Sequence, residues 1–266
     1  MNRRISVTVY EHPLSPYAQK VKIALREKGV DFTLFVPEAV GVGGAGGEFL
    51  AANPRAEVPA LVDGDVRVFD STIILEYIED KWPTPALLPA SPAERARVRV
   101  LEEVMDTHFE PINWAMGELN WFRRAEGVLA DTLRSRAAEQ TRGFYAWLER
   151  ELGDREWFNG AAFGWGDLSV VPYLNRSVDD NRPPAEGSKL GAWLVRVNAR
   201  PSVAQTTQES RQINIGDTNL AALIEQGLFK REYRDHRLEW MIKSGGVEVV
   251  LKGLERENIR FTPDFH

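Results

Sequence analysis

The sequence has 266 residues, of which 43% are hydrophobic and 27% charged, a size and composition that suit two modest globular domains. The formal net charge of −6 disfavours a nucleic-acid partner, and the lack of a long apolar run disfavours a membrane span, so we expect a cytoplasmic protein. The absence of cysteine excludes disulfides and a thiol nucleophile supplied by the protein, and the four histidines are too dispersed for a metal site.

The first predicted elements are a strand, a helix and a second strand. The β-branched run from Ile5 to Tyr10 predicts the first strand. After it, Ser15 precedes Pro16 and an apolar pattern of helical spacing that continues to Gly29. Ser15 is therefore the predicted N-cap of the helix, and residues 31–36 form the next strand.

A glycine-rich stretch separates this unit from a hairpin. Residues 40–47 include five glycines and predict a loop, and because no Gly-Lys-Ser/Thr follows, a phosphate-binding loop is disfavoured. The apolar runs 58–62 and 66–69 flank a turn dipeptide and predict two antiparallel strands. Asp70 and Ser71 then open a helix that ends near Trp82.

The remainder of the chain is predicted to be helical. Three prolines in residues 82–91 mark a linker, so we divide the chain into a domain of residues 1–82, a linker of 83–91 and a second domain of 92–210. The second domain has apolar residues at helical spacing and few strand patterns. Residues 211–266 form an extension of one or two helices with a break at 244–246. This extension covers a cleft, packs on the helical domain or joins a dimer interface, and the sequence does not choose among these.

The order of these segments resembles the soluble glutathione transferases over about residues 5–205. The run from Ser15 to Val30 is similar to the start of tau-class members, and residues 12–15, His-Pro-Leu-Ser, resemble the phi class. Residues 53–54, Asn-Pro, with 58–61, Val-Pro-Ala-Leu, and then 69–71, Phe-Asp-Ser, are similar to the family's peptide-backbone and γ-glutamyl recognition segments. The resemblance implies an α/β thioredoxin-like N-terminal domain and an all-α C-terminal domain, here followed by a helical C-terminal extension.

The resemblance also implies an activity and its residues. Glutathione would be the co-substrate of a homodimeric enzyme that uses no metal and acts on a small hydrophobic electrophile, by conjugation or by displacement such as ether cleavage or dehalogenation. Ser15 is the implied catalytic hydroxyl, which holds the glutathione sulfur as a thiolate. The implied glutathione-binding residues, with a cis Val58–Pro59 bond, are Glu57, Val58, Pro59, Asp70 and Ser71. The electrophile pocket is assigned to Tyr10, Leu14, Trp114, Trp121 and Phe122.

Structural alternatives exist for these residues. Ser15 and Ser71 also suit helix caps, Asp70 also suits a turn, and the aromatic residues also suit a core. If Ser15 itself were a nucleophile it would need a base, for which His12 is the neighbouring candidate. The alternative function is a non-catalytic glutathione-binding module for regulation or protein association. Cysteine-dependent reductase chemistry is disfavoured, because the chain has no thiol.

Two positions depart from the family pattern. Asp70 stands where Glu or Gln is usual, so a shorter side chain must reach the amino group of glutathione. Gly164 replaces the hydroxyl residue of a Ser/Thr-x-x-Asp helix cap, so only its acidic half, Asp167, is present.

Overall fold

The computed structural model describes residues 7–38, 46–213, 220–227, 233 and 235–259. Its first part contains one sheet and three helices: β1 (Val7–Tyr10), α1 (Pro16–Glu27), β2 (Phe32–Phe35), α2 (Gly47–Ala52), β3 (Ala60–Asp63), β4 (Val66–Phe69) and α3 (Ser71–Lys81). The strand order is β2-β1-β3-β4, in which β2 is parallel to β1 and the other two pairings are antiparallel. The predicted β-α-β unit and the hairpin that follows it are confirmed.

Parts of two local predictions fall outside the described residues. The strand predicted from Ile5 and the loop predicted over 40–47 extend into residues 1–6 and 39–45, which lie outside the described residues. The loop prediction also missed α2, a helix of only six residues. Its periodicity is too short to be recognised in the sequence, and its buried Phe49 packs on Tyr10 of β1.

The second part is helical, as predicted. Its elements are α4 (Pro92–Val104), a π-helical turn (Met105–Phe109), α5 (Glu110–Asn120), α6 (Gly127–Leu152), α7 (Trp165–Asp179), α8 (Lys189–Asn198) and α9 (Pro201–Arg211). Helix α7 is the central element, since Trp165, Leu168 and Tyr173 are fully buried and it packs against α1, α4 and α8. The N-terminal domain therefore rests on the helical domain mainly through α1.

The packing at the start of α7 explains why Gly164 stands where the family pattern has a hydroxyl residue. Asp167 accepts hydrogen bonds from the backbone N–H groups of Phe158, Asn159 and Gly164 at 2.8, 3.2 and 3.1 Å. A Cβ on Gly164 would overlap the Asn159 side chain and the carbonyl oxygen of Leu87. Asn159 Nδ2 donates to that same carbonyl at 3.0 Å. The side-chain amide of Asn159 and the linker residue Leu87 therefore occupy the space that a Ser or Thr side chain at position 164 would need.

The C-terminal extension contains α10 (Leu220–Glu225), α11 (His236–Lys243) and α12 (Val247–Glu255). The break predicted at 244–246 separates α11 from α12, so the described part of the extension has three helices where one or two were predicted. The predicted helical position Leu228 lies outside the described residues. Within the described ranges, no helix combines the length and apolar character needed to cross a membrane.

Candidate functional site

The N-terminus of α1 carries the Ser15 hydroxyl. Ser15 has extended backbone angles (φ −74°, ψ 116°), and its Oγ accepts a hydrogen bond from the N–H of Ala18 at 3.3 Å. The side chain is partly exposed, and the first turn of α1 contains no acidic residue. The positive end of the helix dipole therefore meets no carboxylate from its own turn, which suits this end of the helix to an anion.

Hydrogen bonds within the preceding turn define the role of His12. The Ser15 N–H donates to the carbonyl of His12 at 2.8 Å, and His12 Nδ1 accepts from the N–H of Leu14 at 3.3 Å. Burial, and then the charge of Lys22, lower the pKa of His12, so its ring is neutral at neutral pH. In a neutral ring with Nδ1 as acceptor, Nε2 carries the hydrogen. Neither nitrogen is then free to take a proton from Ser15, which disfavours a nucleophilic serine.

The loop between α2 and β3 presents Glu57, Val58 and Pro59. The Val58–Pro59 peptide bond is cis, as the resemblance implies. Asn53, which is 1% exposed, holds the loop: its Nδ2 donates to the carbonyl of Glu57 at 2.8 Å and its Oδ1 accepts from the N–H of Arg55 at 2.9 Å. Glu57 and Val58 remain partly exposed. Asn53 lies in a segment that resembles the family's recognition segments, but the sequence did not reveal that its side chain holds the loop.

Asp70 is the N-cap of α3, and the buried Ser71 is the first residue of that helix. Asp70 Oδ1 accepts both capping hydrogen bonds, from the N–H groups of Thr72 at 3.0 Å and Ile73 at 3.3 Å. The side chain is exposed, so Oδ2 can bind a ligand while the cap stays intact. The φ of Asp70 is 74°, in the left-handed region, which costs a residue other than glycine about 1–3 kcal/mol. Such strain is typical of functional positions.

These segments leave the sheet at one end. Tyr10 at the end of β1 pairs with Ala60 at the start of β3, and Ala60 pairs with Phe69 at the end of β4. Adjacent strands are about 4.8 Å apart, so the row spans about 10 Å. The turn before Ser15, the cis-proline loop and the N-cap of α3 therefore lie side by side, because strand register and direction place all three at this edge.

A cavity of about 320 Å³ lies between α1, α5, α7 and α9. Its apolar wall includes Leu14, Pro16, Trp114, Trp121 and Pro172. Its polar wall includes Gln19, Glu110, Asn113, Asn175, Arg176, Asp179 and Arg211. Leu14 and Pro16 are the chain neighbours of Ser15, which is not itself among the lining residues. An apolar cavity with a few placed polar groups is the usual form of a small-molecule site.

The polar end of the cavity was missed by the sequence analysis. The guanidinium of Arg176 lies 3.8 Å from the ring centroid of Trp121, and its Nε and Nη2 donate to Asp180 at 3.0 and 3.1 Å. Arg211 Nη2 donates to Asp179 at 2.9 Å. These residues come from α7 and α9, and no local sequence signal distinguishes them from ordinary surface ion pairs.

Two residues assigned to the electrophile pocket lie elsewhere. Tyr10 is 7% exposed and packs against Phe35 and Phe49, with ring centroids 5.4 Å apart in each pair. Side chains alternate along a strand, so Tyr10 points to the α2 face of the sheet, in the apolar cluster beneath the cis-proline loop. Phe122 is buried just after α5 and does not line the cavity. Of the five assigned residues, the cavity brings together Leu14, Trp114 and Trp121.

A buried ionic cluster joins α1 and α3 to the helical domain. Lys20 is fully buried, and its Nζ donates to Glu102 at 2.8 Å and to Asp106 at 2.6 Å. Thr72, next to Ser71, donates its hydroxyl hydrogen to Glu102 at 3.0 Å. Burial lowers the pKa of Lys20, but the two carboxylates outweigh burial and raise it overall. Lys20 therefore stays charged and fixes α1 relative to the N-terminus of α3.

Matches to known proteins identify the family of this chain. The glutathione S-transferase N-terminal domain family matches residues 9–86, and the corresponding C-terminal domain family matches residues 131–202. Glutathione S-transferase U28 of Arabidopsis thaliana is 31% identical over 78% of this chain and 91% of its own. The chain belongs to the glutathione S-transferase family.

Other relatives broaden the comparison. A stringent starvation protein A homolog of Haemophilus ducreyi is 35% identical over 77% of this chain and 91% of its own. The crystal structure of rice GST1 in complex with glutathione is 25% identical over 76% of this chain and 90% of that chain, with a TM-score of 0.63. The predicted family, enzyme class and two-part fold are confirmed, whereas the serine-type mechanism and the site residues remain predictions.

Proposed function

We propose that this glutathione transferase joins glutathione to aromatic or other apolar electrophiles, and that Ser15 stabilises the glutathione thiolate. The observation that carries the proposal is the position of Ser15. Its partly exposed hydroxyl lies at the N-terminus of α1, between two residues that line the cavity. The cis-proline loop and the N-cap of α3 lie beside the turn before Ser15 at the same end of the sheet, so one peptide could contact all three segments.

The chemistry requires an ionised sulfur. A free thiol has a pKa of about 8.5, so only a few per cent is thiolate at neutral pH. A hydrogen bond from the Ser15 hydroxyl to the anion is worth about 1.5–3 kcal/mol, which lowers the pKa by about one to two. The thiol proton passes to solvent, and the sulfur attacks the electrophilic carbon. In a displacement, the C–S bond forms as the leaving group departs with its electron pair.

The binding roles follow from the same geometry. In this proposal Val58 pairs through its backbone with the cysteinyl part of glutathione, with Glu57 and Pro59 beside it. Asp70 Oδ2 faces the α-ammonium of the γ-glutamyl group, and Ser71 binds its carboxylate. The electrophile occupies the cavity against Leu14, Trp114 and Trp121. No group of three His, Asp or Glu side chains in the described ranges is arranged to hold a metal ion.

The decisive variant is Ser15→Ala. We expect kcat/KM to fall about 10- to 100-fold, the pKa of bound glutathione to rise by about one to two and its Kd to change less than about threefold. Ultraviolet titration of the bound thiolate and calorimetry measure the last two. The matched control is Ser91→Ala, because Ser91 caps α4 and its Oγ accepts from the N–H of Glu94 at 3.2 Å. Equal losses of activity in the two variants would show that Ser15 acts only as a helix cap.

The second candidate is a glutathione-binding module without turnover. Its support is that a relative whose name states no transferase activity, a stringent starvation protein A homolog, covers 77% of this chain, against 78% for the Arabidopsis transferase. A panel of aryl chlorides, a haloalkane and a β-aryl ether distinguishes the two candidates and the reaction types. A pure binder would show glutathione affinity without product from any of them.

We also propose that the enzyme is a cytoplasmic homodimer joined through α3 and α4. Ile73 of α3 and Val100 of α4 are 56% and 54% exposed, and both lie close to the Arg99–Glu76 ion pair that bridges these helices. Ile73→Asp should shift the protein from dimer to monomer in analytical ultracentrifugation, because it places a charge in an apolar contact. Val195→Asp, on an exposed position of α8, is the control. A monomeric parent protein would contradict the proposal.

A further inference from the structure

The C-terminal extension, residues 211–266, lies beyond the part of the chain that the family matches describe. The C-terminal domain family match ends at residue 202. The Arabidopsis relative covers 78% of this chain while 91% of its own length is aligned. The role of the extension must therefore be inferred from the contacts that it makes in this chain.

Arg211 and Ile213, at the start of the extension, line the cavity, and Tyr233, farther along the chain, contacts a residue of its wall. The ring of Tyr233 packs edge-on against Trp114, with centroids 4.6 Å apart at an angle of 81°. The Tyr233 hydroxyl donates to Glu118 Oε2 at 3.1 Å. Glu118 is buried in the helical domain and has Arg124 Nε at 3.8 Å. A residue far along the chain thus binds two neighbouring side chains of α5.

The two contacts act on the same face of the helix. Trp114 and Glu118 are four residues apart on α5, so their side chains are neighbours along one face. The hydrogen bond fixes the hydroxyl end of Tyr233, and the edge-to-face contact then restricts the indole of Trp114. Trp114 is half-buried and lines the cavity, whereas Tyr233 does not line it. Tyr233 therefore acts on the cavity through Trp114.

We propose that Tyr233 is a positioning residue that holds Trp114 in place and thereby sets the size of the aromatic electrophile that the cavity accepts. This inference rests on the proposed function. The groups proposed to bind glutathione, at the end of the sheet, have no part in these contacts. The extension should therefore govern selectivity among electrophiles and leave the affinity for glutathione unchanged.

The contact itself is tested without turnover. The full-length protein is labelled with 5-fluorotryptophan, and the Trp114 fluorine resonance is assigned with Trp114→Phe. Tyr233→Ala should shift or broaden this resonance, and Tyr233→Phe, which keeps the ring but not the hydroxyl, should have a smaller effect. Trp240→Ala is the matched control, because Trp240 is an exposed aromatic residue of the same extension. An effect of Tyr233→Ala no larger than that of the control would overturn the proposal.

The functional consequence is tested with two electrophiles that share a leaving group, 4-nitrobenzyl chloride with one ring and 1-(chloromethyl)naphthalene with two. Tyr233→Ala should raise the KM for the one-ring chloride about fivefold and move the kcat/KM ratio toward the two-ring chloride by about tenfold. The KM for glutathione should stay within about twofold, as should every constant of Trp240→Ala. An unchanged ratio, or a glutathione KM that rises equally, would refute the role of Tyr233.

The two chlorides also show whether the catalytic proposal or the positioning role of Tyr233 has failed. If the parent protein turns over neither chloride, the catalytic proposal fails. The unreactive alcohols 4-nitrobenzyl alcohol and 1-naphthalenemethanol are then titrated against the Trp114 resonance. A Kd ratio that changes in Tyr233→Ala supports the positioning role, and a ratio that does not change overturns it.

Discussion

At the scale of single residues, two side chains combine a cap with an exposed polar atom. Ser15 caps α1 with a hydroxyl that remains partly exposed, and Asp70 caps α3 through Oδ1 alone. A longer Glu or Gln is a poorer N-cap than Asp. The shorter residue at position 70 therefore strengthens the helix start, and its exposed side chain has a second carboxylate oxygen that makes neither capping hydrogen bond.

Asp70→Asn separates the two roles of this carboxylate. Asparagine caps helices as well as aspartate does and tolerates a positive φ, so the fold should persist. The charge is lost, and we expect the Kd for glutathione to rise about tenfold. Calorimetry with a glutathione analogue that lacks the α-amino group is the control, and this analogue should bind both proteins alike. A similar loss for both ligands would show that Asp70 does not face the ammonium group.

At the scale of elements, the sequence predicts what local pattern and turn chemistry control. The strand-turn-helix at Ser15, the hairpin and the N-cap of α3 follow from β-branched runs, Pro16 and a turn dipeptide. The sequence did not show why Gly164 is needed, because the obstructing Leu87 carbonyl comes from the distant linker. It also misplaced Tyr10, since a strand pattern does not say which face of the sheet a ligand occupies.

The buried carboxylate of Asp167, in the first turn of α7, makes the stability of the protein depend on pH. Burial raises the pKa of Asp167 to about 6 from an ordinary 3.8, although Trp193 and three backbone N–H groups bind the carboxylate and oppose the rise. Because the folded protein holds this proton more tightly, the contribution of Asp167 to stability is fully present below about pH 4 and declines as pH rises through 6. The decline corresponds to about 3 kcal/mol.

Asp167→Asn tests this dependence because asparagine does not titrate. The variant should be less stable, and its deficit in the free energy of unfolding should shrink between about pH 4 and 6 and stay constant above. Urea unfolding at a series of pH values measures the deficit. A deficit that grows with pH below about 4 and is flat between 4 and 6 would mean that the hydrogen bonds outweigh burial and hold the pKa of Asp167 below its ordinary value.

At the scale of the whole molecule, charged contacts join segments that are far apart in the sequence. Lys20 binds the helical domain at α4 and the π-helical turn, and Arg200 at the start of α9 binds Glu27 at the end of α1. No sequence pattern predicts such pairs, since a lysine within an amphipathic helix usually faces solvent. No sequence pattern predicts the cavity wall either, because helices that are separated in the sequence, α1, α5, α7 and α9, form it together.

Lys20→Met should therefore destabilise the protein far more than the loss of an exposed lysine. Glu102 and Asp106 would be left without the buried ammonium, and breaking a buried pair in this way costs about 3–5 kcal/mol. Lys189→Met is the matched control, since Lys189 pairs with Asp154 at the surface, where the two side chains are 61% and 97% exposed, and it should leave the stability almost unchanged. Urea unfolding measures both. Adding Glu102→Gln and Asp106→Asn to Lys20→Met should recover part of the stability, because the uncompensated charges are then gone. If the two lysine variants were equally stable, the cluster would not hold α1 to the helical domain.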